Sequence, residues 1–421
     1  MTSENDARMN VPFFRPSISE PAIAEVTECL RSGWLTTGPR VKQFESEFAK
    51  FIGAEHAVAV NSCTAALHLA VEAMQLKAGQ GVLVPTMTFA ATAEIVLYQG
   101  GIPILVDCDP VTLNMDFDDA AKKLEAARSG ALKGAPIEVV GLIPVHVGGL
   151  MLDVDHINAF AKQHALWVVE DAAHALPSAY RGDADQAWRM CGENTAAVTC
   201  YSFYANKTMT TGEGGMAVTS DPHLADRMRQ MSLHGLSHDA WKRFQGNSQW
   251  DYQIVAPGYK YNLTDLAAAI GLHQLHRVES MRQERETIAE FFFQRLCDCA
   301  ELELPPQLEN RLHSWHLFPI RLCLDQLSID RNEFIQCLRE RGVGCSVHWR
   351  PLHLHPYYKE TLQWQASDCP TATHVWNRLV SLPIFPGMTE SEQEHVVRVV
   401  TELCSQYSLR QPAAQTNPSE I

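Results

Sequence analysis

The chain has 421 residues, 46% of them hydrophobic, and a formal net charge of −15. That length and apolar content can build two or three packed cores. The acidic balance and scattered Lys and Arg leave no basic stripe for a phosphate backbone, which excludes nucleic acid as the expected partner.

Met1–Asn10 is polar and no stretch approaches the roughly 18 apolar residues of a membrane span, so a cytoplasmic protein without a membrane partner is expected. From Phe51 to about Thr219, short β-branched runs alternate with amphipathic segments. The runs His56–Asn61, Gly81–Pro85, Pro103–Asp107, Val139–His146, Leu166–Val169 and Ala197–Ser202 are nearly continuously apolar, which predicts buried parallel strands. Between them Thr64–Met74, Ala90–Gln99 and Asp153–His164 are predicted helices, the last capped by its opening Asp. The alternation predicts an α/β fold, a mostly parallel sheet sandwiched by helices. After Asp265 a long helical stretch runs to about Cys299, followed by a mixed α/β region to about Gln406. The expected division is a large domain over 12–262, a smaller C-terminal α/β domain over 263–407, and a disordered tail over 408–421, rich in Pro, Gln, Ser and Ala. The twelve cysteines spread from Cys29 to Cys404, so reduced and mostly buried thiols are expected. Cys297 and Cys299 follow Ile288, Phe292 and Leu296 at helical spacing, which points to core packing rather than metal ligation.

Ligands of open α/β sheets sit beyond the carboxyl ends of the strands. At the first such end, Asn61-Ser62-Cys63-Thr64-Ala65-Ala66 places small residues and a hydroxyl at a helix start, where backbone amides and the helix dipole suit a phosphate. The same residues also make a plain helix cap. At the second, Glu170-Asp171-Ala172-Ala173-His174, a carboxylate can be a loop feature or can face a cationic ring nitrogen. In the latter case it keeps a pyridine protonated and thus an electron sink. At the third, Ser202 stands five residues before Lys207, and Thr210-Thr211-Gly212-Glu213-Gly214-Gly215 follows as a turn that lets backbone approach a ligand closely. A lysine there is a solvated charge, or, if buried, a nucleophilic amine with a lowered pKa. Pro85-Thr86-Met87-Thr88-Phe89 sets an aromatic at the crevice mouth or in the core. His348, His353 and His355 could ligate zinc as in a metal-dependent hydrolase, but no His-Glu-x-x-His pattern accompanies them.

The stretches SGWLTTGP from Ser32, NSCTAALHLA from Asn61, PTMTFAAT from Pro85, EDAAHA from Glu170, SFYANKTMTTGEGG from Ser202, HGLSHDAWKR from His234 and PGYKYNLTDLAAAIGLHQL from Pro257 occur in this order. With them the chain resembles the DegT/StrS-type nucleotide-sugar aminotransferases of pyridoxal-phosphate fold type I, from about Phe14 to Cys404. The resemblance implies an aspartate-aminotransferase-like large domain and a bound pyridoxal 5'-phosphate, with no metal. It implies that Lys207 is the Schiff-base lysine and proton carrier, that Asp171 pairs with the pyridinium nitrogen, that Phe89 stacks on the ring and that His174 lies close by. Cys63, Thr64 and Ser202 would hold the phosphate, the first two mainly through backbone amides. Asn262 would cross a homodimer interface to complete the neighbour's phosphate site. The implied substrates are L-glutamate and a keto nucleotide sugar, in amino-sugar synthesis for cell-surface polysaccharide. SGWLTTGP looks more like the branch that aminates C4 than the C3 branch. Trp34 offers the sugar or base a flat face or else packs in the core, Thr36 offers a hydroxyl, and Arg243 is a bidentate partner for pyrophosphate or else a surface charge, with the His348 stretch approaching the substrate pocket in the family reading. Retention of Lys207, where related dehydratases carry histidine, favours transamination. Pro177, where the family often has glycine, and Arg181–Asn194 depart from the family pattern, so an unusual entrance is expected on that side.

Overall fold

The computed structural model describes residues 9–182, 187–236 and 253–409. Arg243, part of the atypical stretch (183–186) and most of the predicted tail (410–421) lie outside the described residues.

Two helices, α1 (Glu20–Ser32) and α2 (Pro39–Ile52), precede the sheet. The chain then runs through β1 (His56–Val60), α3 (Cys63–Ala73), β2 (Gly81–Pro85), α4 (Ala91–Tyr98), β3 (Ile102–Val106), α5 (Phe117–Ser129), β4 (Val139–Leu142), α6 (Val154–His164) and β5 (Trp167–Asp171). After the short strands β6 (Ala179–Tyr180) and β7 (Arg189–Met190) come β8 (Val198–Ser202), β9 (Gly215–Thr219) and α7 (Pro222–Ser232). The main sheet has seven strands in the order β1-β9-β8-β5-β4-β2-β3. The pairs β2–β3, β2–β4, β4–β5 and β5–β8 are parallel, while β9 is antiparallel to both β8 and β1. The six predicted strands are all present. The run predicted over Val139–His146 stops at Leu142, and Pro144 just beyond has no N–H to give to a ladder. Helix α3 is capped by Ser62, whose hydroxyl accepts the Ala65 amide at 3.1 Å, and α6 by Asp153, which accepts the His156 amide at 3.0 Å.

The helical stretch expected after Asp265 is two helices, α8 (Asp265–Leu275) and α9 (Val278–Leu296), broken at His276–Arg277. Helix α8 packs on α1 and α2 beside the main sheet, burying Ala268, Leu272 and Leu275 with Phe44 and Phe48. Helix α9 turns its Ile288, Phe292 and Leu296 stripe into a second core. That core is completed by β10 (Leu302–Glu303), β12 (Phe318–Leu322), β13 (Leu379–Leu382), α10 (Arg331–Glu340) and α13 (Glu390–Tyr407), with β11 (Arg311–Leu312) pairing back to β6. Short helices α11 (Pro356–Glu360) and α12 (Pro370–Trp376) return to the first unit, where Cys369, Ala372 and Val375 pack beside Met87 and Val145. The expectation of core packing at Cys297 is corrected: the buried stripe ends at Leu296 and Cys297, one residue on, is exposed. All twelve cysteines are free, and seven of them are buried. Among the described residues no helix is long and apolar enough to cross a membrane.

Candidate active site

A cavity of about 530 Å³ opens where the carboxyl ends of β5 and β8 meet the start of α3, and the second unit covers one side of it. At the α3 end, the Ser62 carbonyl takes the Ala66 amide at 3.1 Å, while Cys63 and Thr64 occupy the first turn, whose amides have no acceptor inside the helix. Both residues line the cavity, as does Ser202. Ser202 pairs with Gly215 across β8–β9. Gly215 presses on the same helix start: a Cβ there would lie 2.5 Å from the Ser62 carbonyl carbon, so only glycine allows the approach. Two hydroxyls and a helix N-terminus thus form a cup of the kind an anionic phosphate fits.

Asp171 ends β5 and is 5% exposed. Thr92 Oγ1 donates to its Oδ2 at 2.7 Å and the Ala173 amide to its Oδ1 at 3.1 Å, so both carboxylate oxygens are fixed. Burial raises its pKa against the pull of Thr92, the Ala173 amide and Lys207. A ring cation placed beside it would supply the positive charge that this buried acid lacks. Lys207 sits in the turn after β8, its amide bonded to the Tyr204 carbonyl at 3.0 Å. Burial pulls its amine down to about 8, partly opposed by Cys63 and Asp171. An amine with that value is half neutral near pH 8 and almost fully neutral above pH 9. Reconstitution of apo-protein with pyridoxal phosphate, followed by recovery of its yellow colour, is therefore expected to quicken with pH through a midpoint near 8. A midpoint near 10.5, the ordinary lysine value, would show that the amine is not perturbed.

The facing wall carries three imidazoles. The His174 ring is 4.2 Å from that of His316 and stacks on Trp349 at 5.0 Å, while His348 Nδ1 meets Ser381 Oγ at 2.9 Å. Burial drives His174 and His316 well below the ordinary range and His348 to about 4, so this wall is neutral. Phe89, 63% exposed, offers a free ring face at the cavity.

The cavity therefore gathers Cys63, Thr64, Phe89, Asp171, His174, Ser202, Lys207 and His348 as expected. It does not gather Trp34, Thr36 or Asn262 within one chain. Gly33 caps α1 in the left-handed region, and Trp34 folds back so that its Nε1 donates to the Thr37 carbonyl at 3.3 Å. Thr36 is exposed, and Asn262 Nδ2 donates to Thr37 Oγ1 at 2.7 Å. Sequence reasoning missed Thr92, Asn206, His316 and Trp349. Trp349 stood inside the stretch read for its histidines, and Thr92 closed the PTMTFAAT stretch without a role of its own.

The zinc alternative loses its basis. His353 is held by Thr86 Oγ1 at 2.7 Å and Thr373 Oγ1 at 2.8 Å, His355 bonds the Arg350 carbonyl and His348 bonds Ser381. Each imidazole thus has its own separate partner. Elsewhere His146, Glu170 and Cys191 converge in the interior. His146 Nδ1 accepts the Leu152 amide at 3.2 Å, which leaves the proton on Nε2, 3.4 Å from Glu170 Oε1. The two atoms face each other without a hydrogen bond, and Nε2 turns its proton rather than a lone pair towards the carboxylate. Burial raises the Glu170 carboxyl, but His146, Thr195 and Thr199 outweigh it and hold it below the usual range.

A mostly parallel sheet whose strand ends bring a half-buried lysine, a buried carboxylate and a phosphate cup to one cavity has the architecture of a fold-type-I pyridoxal-phosphate enzyme. The model of the DegT/DnrJ/EryC1/StrS aminotransferase family matches residues 16–401, and the chain belongs to that family. It is similar to the spore coat polysaccharide biosynthesis protein SpsC of Bacillus subtilis (strain 168), with 42% identity over 394 residues, 93% of this chain and 97% of that one. Among solved structures it is similar to the putative sugar aminotransferase Spr1654 from Streptococcus pneumoniae in its PLP-form, with 29% identity, a TM-score of 0.83, and coverage of 94% of this chain and 99% of that chain. It is also similar to the aminotransferase TlmJ from Streptoalloteichus hindustanus, with 30% identity, a TM-score of 0.82, and coverage of 94% and 99%. The protein is a pyridoxal-phosphate-dependent aminotransferase.

Proposed function

We propose that this enzyme moves the amino group of L-glutamate to C4 of a nucleotide-linked keto sugar, in amino-sugar synthesis for a cell-surface polysaccharide. The observation that carries the chemistry is the placement of half-buried Lys207 and buried Asp171 on one cavity with the α3 cup. The sugar acceptor is supported by the relatives, one named for spore coat polysaccharide biosynthesis and another as a putative sugar aminotransferase.

When bound, pyridoxal phosphate supplies the electron sink for bond breaking at the amino-bearing carbon. The Cys63 and Thr64 amides and the Ser202 hydroxyl would hold its phosphate, and Phe89 would offer its ring an aromatic face. Asp171, locked by Thr92 and Ala173, keeps the ring nitrogen protonated. Lys207 anchors the cofactor through Nζ. Once free, the neutral Nζ would take a proton from the amino-bearing carbon of the substrate and give it back on the cofactor side, and in the second half-reaction it would work in reverse. The neutral histidine wall keeps a second cation away from that amine, and covering by the second unit limits water. Arg243 meets the acceptor's pyrophosphate, so Arg243→Ala raises KM for the acceptor more than for glutamate.

Ile23, Leu30 and Leu35 are large apolar side chains exposed on and just beyond α1, and a groove lined by Val26, Leu30, Leu266 and Ile270 also contains Asn262. Such a patch suits a second copy of the chain. In the homodimer so formed, Asn262, Trp34 and Thr36 serve the partner's cavity. Mixing inactive Lys207→Ala chains with impaired Asn262→Ala chains is expected to restore part of the activity, because one of the two hybrid sites carries neither defect. No recovery on subunit exchange, or an active monomer, contradicts this.

The acceptor is tested with L-glutamate and a panel of uridine-, thymidine- and guanosine-diphosphate keto sugars, locating the new amine by NMR. Amination at C4 of a nucleotide-linked sugar is expected. Equal turnover of a free keto sugar, or an amine at C3, overturns the assignment.

A further inference from the structure

Of the side chains that line the cavity, two carry a buried polar atom that has no hydrogen-bond partner among the described residues: Asn206, at Oδ1, and His316, at Nδ1. Leaving a buried polar atom unpaired costs stability, so such atoms mark places where a ligand completes the bonding. The two side chains are carried by well-anchored backbone. Asn206 sits in the turn closed by the Lys207 amide on the Tyr204 carbonyl at 3.0 Å. His316 follows Trp315, and buried Arg285 Nη1 ties this loop by donating to the carbonyls of Trp315 at 3.1 Å and Ile384 at 2.8 Å. The Leu317 amide adds a bond to the Gly148 carbonyl at 3.2 Å. Trp349, stacked on His174, lines the same cavity and presents an aromatic face.

We propose that Asn206 and His316, one from each unit of the chain, form a polar subsite that hydrogen-bonds hydroxyl groups of the acceptor sugar. The inference rests on the sugar reading above and names the residues that discriminate among sugars. Its chemistry separates acceptor from donor. A carboxamide oxygen accepts, a neutral imidazole both donates and accepts, and a sugar hydroxyl can satisfy either. Glutamate carboxylates call for cationic partners, and neither group is one: burial keeps His316 neutral. A polar, neutral wall beside an aromatic ring suits a polyol with one apolar face.

The test uses the cofactor-loaded enzyme, L-glutamate, and whichever nucleotide-linked 4-keto-6-deoxyhexose of the panel supports turnover, together with its 2-deoxy and 3-deoxy analogues. A neutral hydrogen bond contributes roughly five- to tenfold in affinity, so wild type is expected to lose about tenfold in kcat/KM when the recognised hydroxyl is missing. His316→Phe and Asn206→Ala are expected to lose a similar factor on the parent acceptor yet handle that deoxy analogue as wild type does, which collapses the discrimination. His316→Gln, which restores a donor and an acceptor, should recover part of it. Melting curves and the titration of apo-protein with pyridoxal phosphate accompany each variant. Unaltered discrimination in both variants overturns the subsite alone. A more than tenfold weaker affinity for pyridoxal phosphate in either variant also overturns it, by assigning that group to the cofactor. A wild-type enzyme that aminates none of the acceptors overturns the sugar reading and the subsite together.

Discussion

Replacing Lys207 with alanine is expected to lower steady-state transamination by about 10³-fold or more, since in the proposed function one amine both anchors the cofactor and carries the proton. Folding is expected to survive. The folded protein lowers the Lys207 pKa from 10.5 to about 8, so the protonated amine is disfavoured in the native state. That penalty is fully present below pH 8 and fades as pH rises towards 10.5, which makes its removal neutral or stabilising at neutral pH. The mutant should bind pyridoxal phosphate without the absorbance of a lysine-linked cofactor. Near-normal turnover by this variant would place the nucleophilic amine elsewhere.

Asp171→Asn is expected to slow both half-reactions by roughly a hundredfold or more while leaving the melting temperature close to wild type. Opposite charges about 4 Å apart are worth about 4 kcal/mol at an intermediate dielectric, and each 1.36 kcal/mol is a factor of ten in rate. The geometry should hold, because an asparagine oxygen still accepts the Ala173 amide and its NH₂ can donate to Thr92 Oγ1. Stopped-flow traces of the glutamate reaction, read at the cofactor's absorbance, measure the effect. A rate within about threefold of wild type would show that the ring nitrogen does not rely on this carboxylate.

The central sheet was legible because its strands are continuously apolar and bounded by turns, the pattern of strands covered on both faces. Strand β9 was not, because it opens with Gly215 at the end of a glycine-rich turn and pairs antiparallel inside an otherwise parallel pattern. Helices α8 and α9 looked like one because the apolar residues continue through the break at His276–Arg277. In the site, residues that follow β-strands could be located from the rule that ligands sit at carboxyl ends, and Lys207, Asp171, Ser202 and Phe89 all follow it. Thr92, His316 and Asn206 depend on which side chains face a cavity built from distant segments, and periodicity carries no such information. Trp34, Thr36 and Asn262 expose a different limit. They stand in the motif stretches yet lie outside the cavity of their own chain, and a motif does not say where in the fold its side chains come to lie.

The most direct measurement is a single addition of L-glutamate to purified, pyridoxal-phosphate-loaded protein without any acceptor. The yellow absorbance is expected to bleach with release of one 2-oxoglutarate per bound cofactor, and to return when the nucleotide-linked keto sugar is added. An unchanged spectrum with no 2-oxoglutarate, from protein shown to hold the cofactor, would contradict the account.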